Sequence, residues 1–378
     1  MSTLRVPVIA LAATALVGGG FAAGVGVMRV SGPAPSASNV LLAGATVAKT
    51  TATGSTTAPC PVGSSGPTKA PKPSTTTKAP TTSPTSPATT TTAPSGSGKG
   101  SQSFVADGFA ALGRGTTGGA AGSTVTVSTA AALKQYAGAA QPYVIKLSGL
   151  LTITGQIDVA SNKTIVGATK GAGLTGGGLN VRKVSNVIIA NLTISKAKGT
   201  DAVSVWGSDH VLVTHNDLSS DLDHGKDFYD GLVDITQGSD DVTVSYNRFH
   251  DHFKVVLIGH SDSNGAVDTG KLHVTLHHNS FTDVGSRLPS LRFGTGHVYD
   301  NVFTNVQTSA IHSRMGAVIL AQNNVFTNVK NPFVTNADSK EPGTILADPS
   351  PAPAWPYRFT LDPKSAVAGI VAAQAGPN

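Results

Sequence analysis

Between residues 186 and 326 apolar and polar positions alternate in short runs, and each run stops in the same way. The segments NVIIANLTI (186–194), HVLVTHNDL (210–218), DVTVSYNRF (241–249), LHVTLHHNSF (272–281), HVYDNVF (297–303) and AVILAQNNVF (317–326) each close on an asparagine with an apolar residue shortly after it. These asparagines are Asn191, Asn216, Asn247, Asn279, Asn301 and Asn324, separated by 25, 31, 32, 22 and 23 residues. Val, Ile, Thr and Phe fill the runs while Gly, Asn and Asp punctuate them, which excludes helical repeats and predicts one or two short strands per repeat. A unit of that size cannot bury its apolar face alone, so the repeats must stack as a solenoid. No leucine ladder is present. The pattern therefore predicts an all-β parallel β-helix, with apolar side chains stacked inside and an asparagine at each bend bonding to its neighbours above and below.

The two longest spacings predict where a site is built. Their extra residues, 219–231 and 259–271, must leave the coil as loops, and loops on one face of a solenoid form binding surfaces. The open ends need covering. Residues 128–140, STAAALKQYAGAA, predict a short N-terminal capping helix with Ser128 or Thr129 as N-cap and Gly138 near its stop. The Ala-rich segment 363–376 is expected to cover the other end or to lie along the side.

Composition divides the chain before residue 101. Residues 1–100 contain no Asp or Glu and seven basic residues, whereas residues 101–378 hold 20 Lys and Arg against 21 Asp and Glu. The formal charge of +6 thus belongs to the leading segment, and no nucleic-acid partner is expected. Residues 1–30 have one early cation, Arg5, and then an Ala/Gly/Val-rich apolar run, the layout of an export signal. A secreted, extracellular protein is expected, touching a membrane only if that segment stays as an anchor. Residues 31–100, rich in Thr, Pro and Ser, read as a disordered spacer ahead of a folded domain at 101–378. Cys60 is the single cysteine, which rules out an intramolecular disulfide. The protein is expected to act as a monomer.

Chemistry concentrates near the two predicted loops. Asp230 and Asp234 are four apart where the first loop returns to a strand, so they are expected to share one strand face, and Asp201, which opens the coil before, is expected about one strand spacing, ~4.8 Å, from them. Carboxylates so placed repel unless a cation lies among them, and hard oxygen ligands suit Ca²⁺. Lys254, Arg287 and Arg292 follow on successive coils, and cations facing a metal-bearing acidic edge suit a polyanionic, carboxylate-bearing substrate that arginine can clamp bidentately. The histidines of HDH, His250 and His252, together with His260, read as loop and wall contacts rather than a zinc site.

At these residues the sequence resembles the pectate lyases of the pectate/pectin lyase group, over most of residues 104–335. The specific blocks are DGLVDITQGSDDVTVSYNRFHDHFKVVLIG, VTLHHNSF and RLPSLRFGTGHVYDNVF. The resemblance implies a right-handed parallel β-helix acting on pectate, that is polygalacturonate. It assigns calcium to Asp201, Asp230 and Asp234, a substrate-side lysine to Lys254, the proton abstractor to Arg287 and its supporting cation to Arg292. His215 is the retained member of a substrate-side element whose other positions are here Leu212 and Thr214, and Gly199 stands where some members have a further aspartate.

The implied reaction is β-elimination: a base takes the C5 proton of a galacturonate, the C4–O bond breaks and a 4,5-unsaturated product forms. Calcium between the uronate and the aspartates would stabilise the developing charge. An arginine in water keeps its proton to about pH 12 or above, so an arginine base implies activity rising into the alkaline range. Three other readings make different demands. A calcium-independent pectin lyase would lack the acidic trio, a polygalacturonase would need paired hydrolytic carboxylates, and a non-catalytic carbohydrate-binding or adhesin β-helix would not need Lys254, Arg287 and Arg292 together.

Overall fold

The alternating runs form strands that pair in parallel throughout. The computed structural model describes residues 104–335 and 339–378; the expected export segment 1–30, the spacer 31–100 and Cys60 lie outside the described residues. One sheet has ten strands, from Ser123–Val127 through Asp209–Thr214, Asp240–Ser245 and His273–His277 to Thr344–Ala347, one per coil. A second sheet of 14 strands makes two wings joined by the long strand Gly173–Arg182. One wing contains Thr193–Ser195, Asp217–Ser219, Arg248–Lys254, Ser280–Ser286, Val302–Val306 and Val325–Val329. The other contains Val203–Trp206, Val233–Thr236, Val256–Ile258, Ser290–Arg292, Ile311–Arg314 and Phe333–Val334. The result is the right-handed parallel β-helix expected from the sequence.

Inside the coils Val, Ile and Leu side chains are fully buried in one continuous core. The apolar residue after each ladder asparagine builds a second column, in which Phe249, Phe281, Phe303 and Phe326 stack with successive ring centroids 4.9 Å apart. That distance is the spacing between paired strands, so the coil pitch itself sets the ring contacts.

The asparagines form the expected ladder, starting one coil later than the spacing suggests. Asn216, Asn247, Asn279, Asn301 and Asn324 are buried at the bend after the ten-stranded sheet. Asn247 Nδ2 donates to Val213 O at 2.9 Å and to Asn279 Oδ1 at 3.1 Å, while its Oδ1 accepts from the backbone and amide nitrogens of Asn216. Asn191 is not a rung. It takes the left-handed position before the rung, and Leu192 fills the rung, its N–H donating to Asn216 Oδ1 at 3.0 Å. The true step there is 24 residues.

The predicted capping helix is Ala130–Ala137, with Thr129 Oγ1 accepting from Ala132 N and Gly138 at the C-cap. Its Leu133 and Ala137 join the core beside Ile157 and Val159, closing the N-terminal end. The C-terminal helix, Val367–Gln374, lies along the side next to Val302–Val306 rather than across the far end. Two segments cover the outer face of the ten-stranded sheet. Phe109 N and Ala110 N bond to Thr275 and Thr243, and Tyr357 Oη bonds Thr275 Oγ1. Beside the wing carrying Ser290–Arg292 a cleft remains, lined by Lys254, Arg287 and Ser290.

Candidate active site

The first extruded loop ends at Asp230 and Gly231, immediately before strand Val233–Thr236, so Asp230 and Asp234 do not share one strand face as the spacing alone implies. What brings the acids together is Gly231. Its N–H donates to Asp201 Oδ1 at 3.0 Å, and a Cβ there would lie 2.1 Å from Asp234 Oδ1 and 3.0 Å from Asp201 Oδ1. Two carboxylates therefore occupy the space that any other residue would fill. Asp234 Oδ1 is buried with no hydrogen-bond partner. Burial and the Asp201 charge push the Asp234 carboxyl well above its usual range, and burial and the Asp230 charge raise Asp201 to about 6.

Asp230 is more exposed and leans towards Lys254, whose Nζ lies 3.5 Å from Asp230 Oδ1 and 3.2 Å from Asp227 Oδ1. Its backbone is anchored by His252, which is buried and neutral: burial lowers that imidazole to about 4, and Nε2–H donates to Asp230 O at 2.7 Å. His250 is held by Asp217 and Asp251, and His260 lies beside Gln237. HDH thus supplies wall contacts, as expected.

An orphaned buried oxygen and a Gly-only cradle fit a hard, oxygen-ligated cation, and Asp201, Asp234 and Asp230 are the residues that would hold it. Asp230 leans to Lys254, and the three acids do not place one oxygen each with every pair within 4.8 Å.

Arg287 sits in the turn between Ser280–Ser286 and Ser290–Arg292, at φ +63°. A non-glycine residue there is strained, and the surrounding backbone holds it: Val256 N–H donates to Arg287 O at 2.7 Å, and Leu288 N–H to Ala310 O at 3.1 Å. Its guanidinium has no hydrogen-bond or ion-pair partner among the described residues, yet its charge acts on both Asp201 and Asp234. Arg287 and Lys254 line a cleft of about 440 Å³ together with Lys226, Ser290, His312 and Arg314.

Arg292 lies behind that surface. It is buried, with Nε 2.5 Å from Asp262 Oδ1 and Nη1 donating to Gly259 O at 2.8 Å, so the second extruded loop fixes it. Arg314, its strand partner one coil on, lines the cleft and reaches Asp262 at 3.6 Å. Sequence reasoning missed Arg314 although HSR repeats the register of SLR. The structure does not bring His215 to this cleft. It lies after strand Asp209–Thr214, stacked on Tyr246 at 4.8 Å, with burial lowering its imidazole to about 4.

Comparison with known proteins places the chain in a family. A family model described as pectate lyase matches residues 85–367. The chain is 45% identical to probable pectate lyase B of Aspergillus terreus over 243 residues, 64% of this chain and 74% of that one. It is also 45% identical to pectate lyase A of Emericella nidulans over 226 residues, 59% and 69% of the two chains. Among solved structures, a Bacillus pectate lyase in complex with trigalacturonate superposes with a TM-score of 0.65 at 27% identity, covering 72% of this chain and 98% of that one. Pectate lyase II from Xanthomonas campestris gives 0.60 at 28% identity, covering 71% and 97%. With a stacked β-helix, an acidic cradle and an unpaired arginine already in place, the match over most of the chain identifies the protein as a polysaccharide lyase of the pectate lyase family.

Proposed function

We propose that the protein is a secreted, calcium-dependent pectate lyase that cleaves de-esterified pectin to 4,5-unsaturated oligogalacturonates. The observation that carries this reading is the unpaired Arg287 guanidinium beside a carboxylate pair, one oxygen of which has no donor. The trigalacturonate bound by the Bacillus relative supports a polygalacturonate chain as the substrate.

In this reading Lys254 and Arg314 bind uronate carboxylates along the cleft, and Asp201, Asp230 and Asp234 hold the calcium. Bound there, the ion supplies Lewis-acid stabilisation of a uronate carboxylate. Arg287, with its proton lost to solvent, takes the C5 proton. The C5 electron pair forms the C4–C5 double bond as the C4–O bond breaks, and the departing sugar oxygen is protonated by solvent. Asp262 holds Arg292 and neighbours Arg314, fixing the cationic wall. The export-signal layout of residues 1–30 supports secretion in this reading.

The test is ultraviolet absorbance of unsaturated uronate when the full chain is incubated with polygalacturonate, with calcium and with chelator, across pH 6 to 10. Calcium-dependent product whose rate climbs into the alkaline range is expected. Equal rates with chelator, or a neutral optimum, would remove the calcium or the arginine base from the reading.

A further inference from the structure

Beside the asparagine ladder, the residue before each rung takes a left-handed conformation and forms a column of its own: His215, Tyr246, His278, Asp300 and Asn323, with φ between 51° and 58°. Tyr246 stacks on His278 at 4.6 Å and fixes the plane of that ring. One coil on, Asp300 is fully buried and accepts a hydrogen bond from the Asn323 amide. The C-terminal segment lays Asp362 over this pair. Asp362 N–H donates to Asp300 Oδ2 at 3.2 Å, and its carbonyl accepts from Asn323 Nδ2 at 2.9 Å. Its carboxylate reaches His278 Nε2 at 2.9 Å, while Asp300 Oδ2 lies 3.9 Å from that nitrogen.

We propose that His278, Asp300 and Asp362 form a second metal site, for a borderline divalent ion such as Zn²⁺, which clips the C-terminal segment onto the coils. One ligand atom from each lies within 4.8 Å of the other two. Zinc bonds of about 2.0–2.2 Å put tetrahedral ligand atoms roughly 3.3–3.5 Å apart, and the two nitrogen–oxygen distances of 2.9 and 3.9 Å bracket that value. Small opposite shifts would complete the geometry. An imidazole with two carboxylates suits zinc better than the all-oxygen preference of calcium. The Asp362 side chain is 31% exposed, which leaves an approach for the ion and for a water as fourth ligand.

Charge and hydrogen bonding favour an ion here. The only side chains able to carry positive charge within 4.0 Å of the Asp107, Asp300 and Asp362 carboxylates, among the described residues, are His277 and His278; Asp300 also accepts from the Asn323 amide and Asp362 N–H. His278 Nδ1 is 2.8 Å from His277 Nδ1, so one of the two carries the proton between them. If a proton sits on His278 Nε2, neutral His277 must supply that proton. Its Nε2 lone pair then faces Asp107 Oδ2 at 2.9 Å, and this nitrogen is buried without a hydrogen-bond partner. A metal on His278 Nε2 reverses the chain: His278 Nδ1–H donates to His277, and His277 turns an N–H towards Asp107. Such outer hydrogen bonds are what orient a metal-bound histidine.

The experiment is a calorimetric titration of the chelator-treated, dialysed full chain with ZnCl₂ in excess CaCl₂, which keeps the cleft acids occupied, alongside thermal unfolding. One Zn²⁺ per chain and a raised melting temperature are expected. Asp362→Asn, on the exposed side of the cluster, should weaken binding at least about tenfold and abolish the thermal shift with lyase activity unchanged; His278→Gln should do the same. No zinc binding to the wild type at millimolar concentration, or equal binding to wild type and Asp362→Asn, would overturn the site.

Discussion

Two bends of the same coil carry buried polar columns, and they solve the problem of burial in opposite ways. At the bend after the ten-stranded sheet, each interior asparagine spends its amide on the coil below and the rung above, so no polar atom is left over. Where the chain bends into strand Val233–Thr236, Asp234 from that strand and Asp201 from the coil before converge on Gly231, and one Asp234 oxygen receives no hydrogen bond. The first column is complete as the chain folds. The second leaves a buried carboxylate oxygen without a donor, a donor set that fits a hard cation. A buried unsatisfied group costs stability, and a fold that tolerates one beside an unpaired arginine uses it.

Changes at the two bends should therefore separate activity from stability. The largest effect is expected for Arg287→Ala, which should lower the rate of unsaturated-product formation by about a thousandfold or more while leaving the calcium-induced thermal shift in place. Gly231→Ala comes next: a Cβ 2.1 Å from Asp234 Oδ1 must push the carboxylates apart. Calcium affinity, read by calorimetry, should fall at least about tenfold by the removal of ligand positioning, and activity at limiting calcium should fall with it.

At the other bend, Asn247→Ala removes four hydrogen bonds and strands buried partners on both neighbouring coils. A loss of about 2–4 kcal/mol is expected in denaturant unfolding, with the turnover of the folded fraction little changed. The smallest effect concerns pH. Asp201 is raised to about 6, so in the absence of calcium its ionised form opposes folding. That penalty is full above pH 6, shrinks as the native carboxyl gains its proton, and is gone below the ordinary aspartate value near ~4. The melting temperature of calcium-free protein, corrected with Asp201→Asn, should carry a component that rises as pH falls from 7 to 4.

The regular part of the molecule was legible because stacking repeats it. The asparagines, the phenylalanines two residues after four of them and the parallel strands all recur with the coil, and only Asn191, one residue out of register, misled. The capping helix was readable from Thr129 and Gly138. The candidate site was legible as residue types, less as geometry. Asp201 and Asp234 meet through a glycine whose role appears only when the loop closes. Arg292 and Arg314 share a register and both lie against Asp262, yet only Arg314 lines the cleft, because Arg292 is turned onto Gly259 O. His215 looked like a neighbour of the site from its motif, but the bend it occupies points it into the column beside the ladder. Loop paths are set by such pairings, not by periodicity.

The most direct test of the contrast is thermal unfolding of wild type and Asp234→Asn at pH 8, each with chelator and with calcium. Asp234→Asn is expected to melt above the wild type in chelator, because a buried carboxylate oxygen without a donor has gone, and to gain little or nothing from calcium while the wild type gains clearly. A variant less stable than the wild type in chelator, or one that responds to calcium as the wild type does, would contradict it.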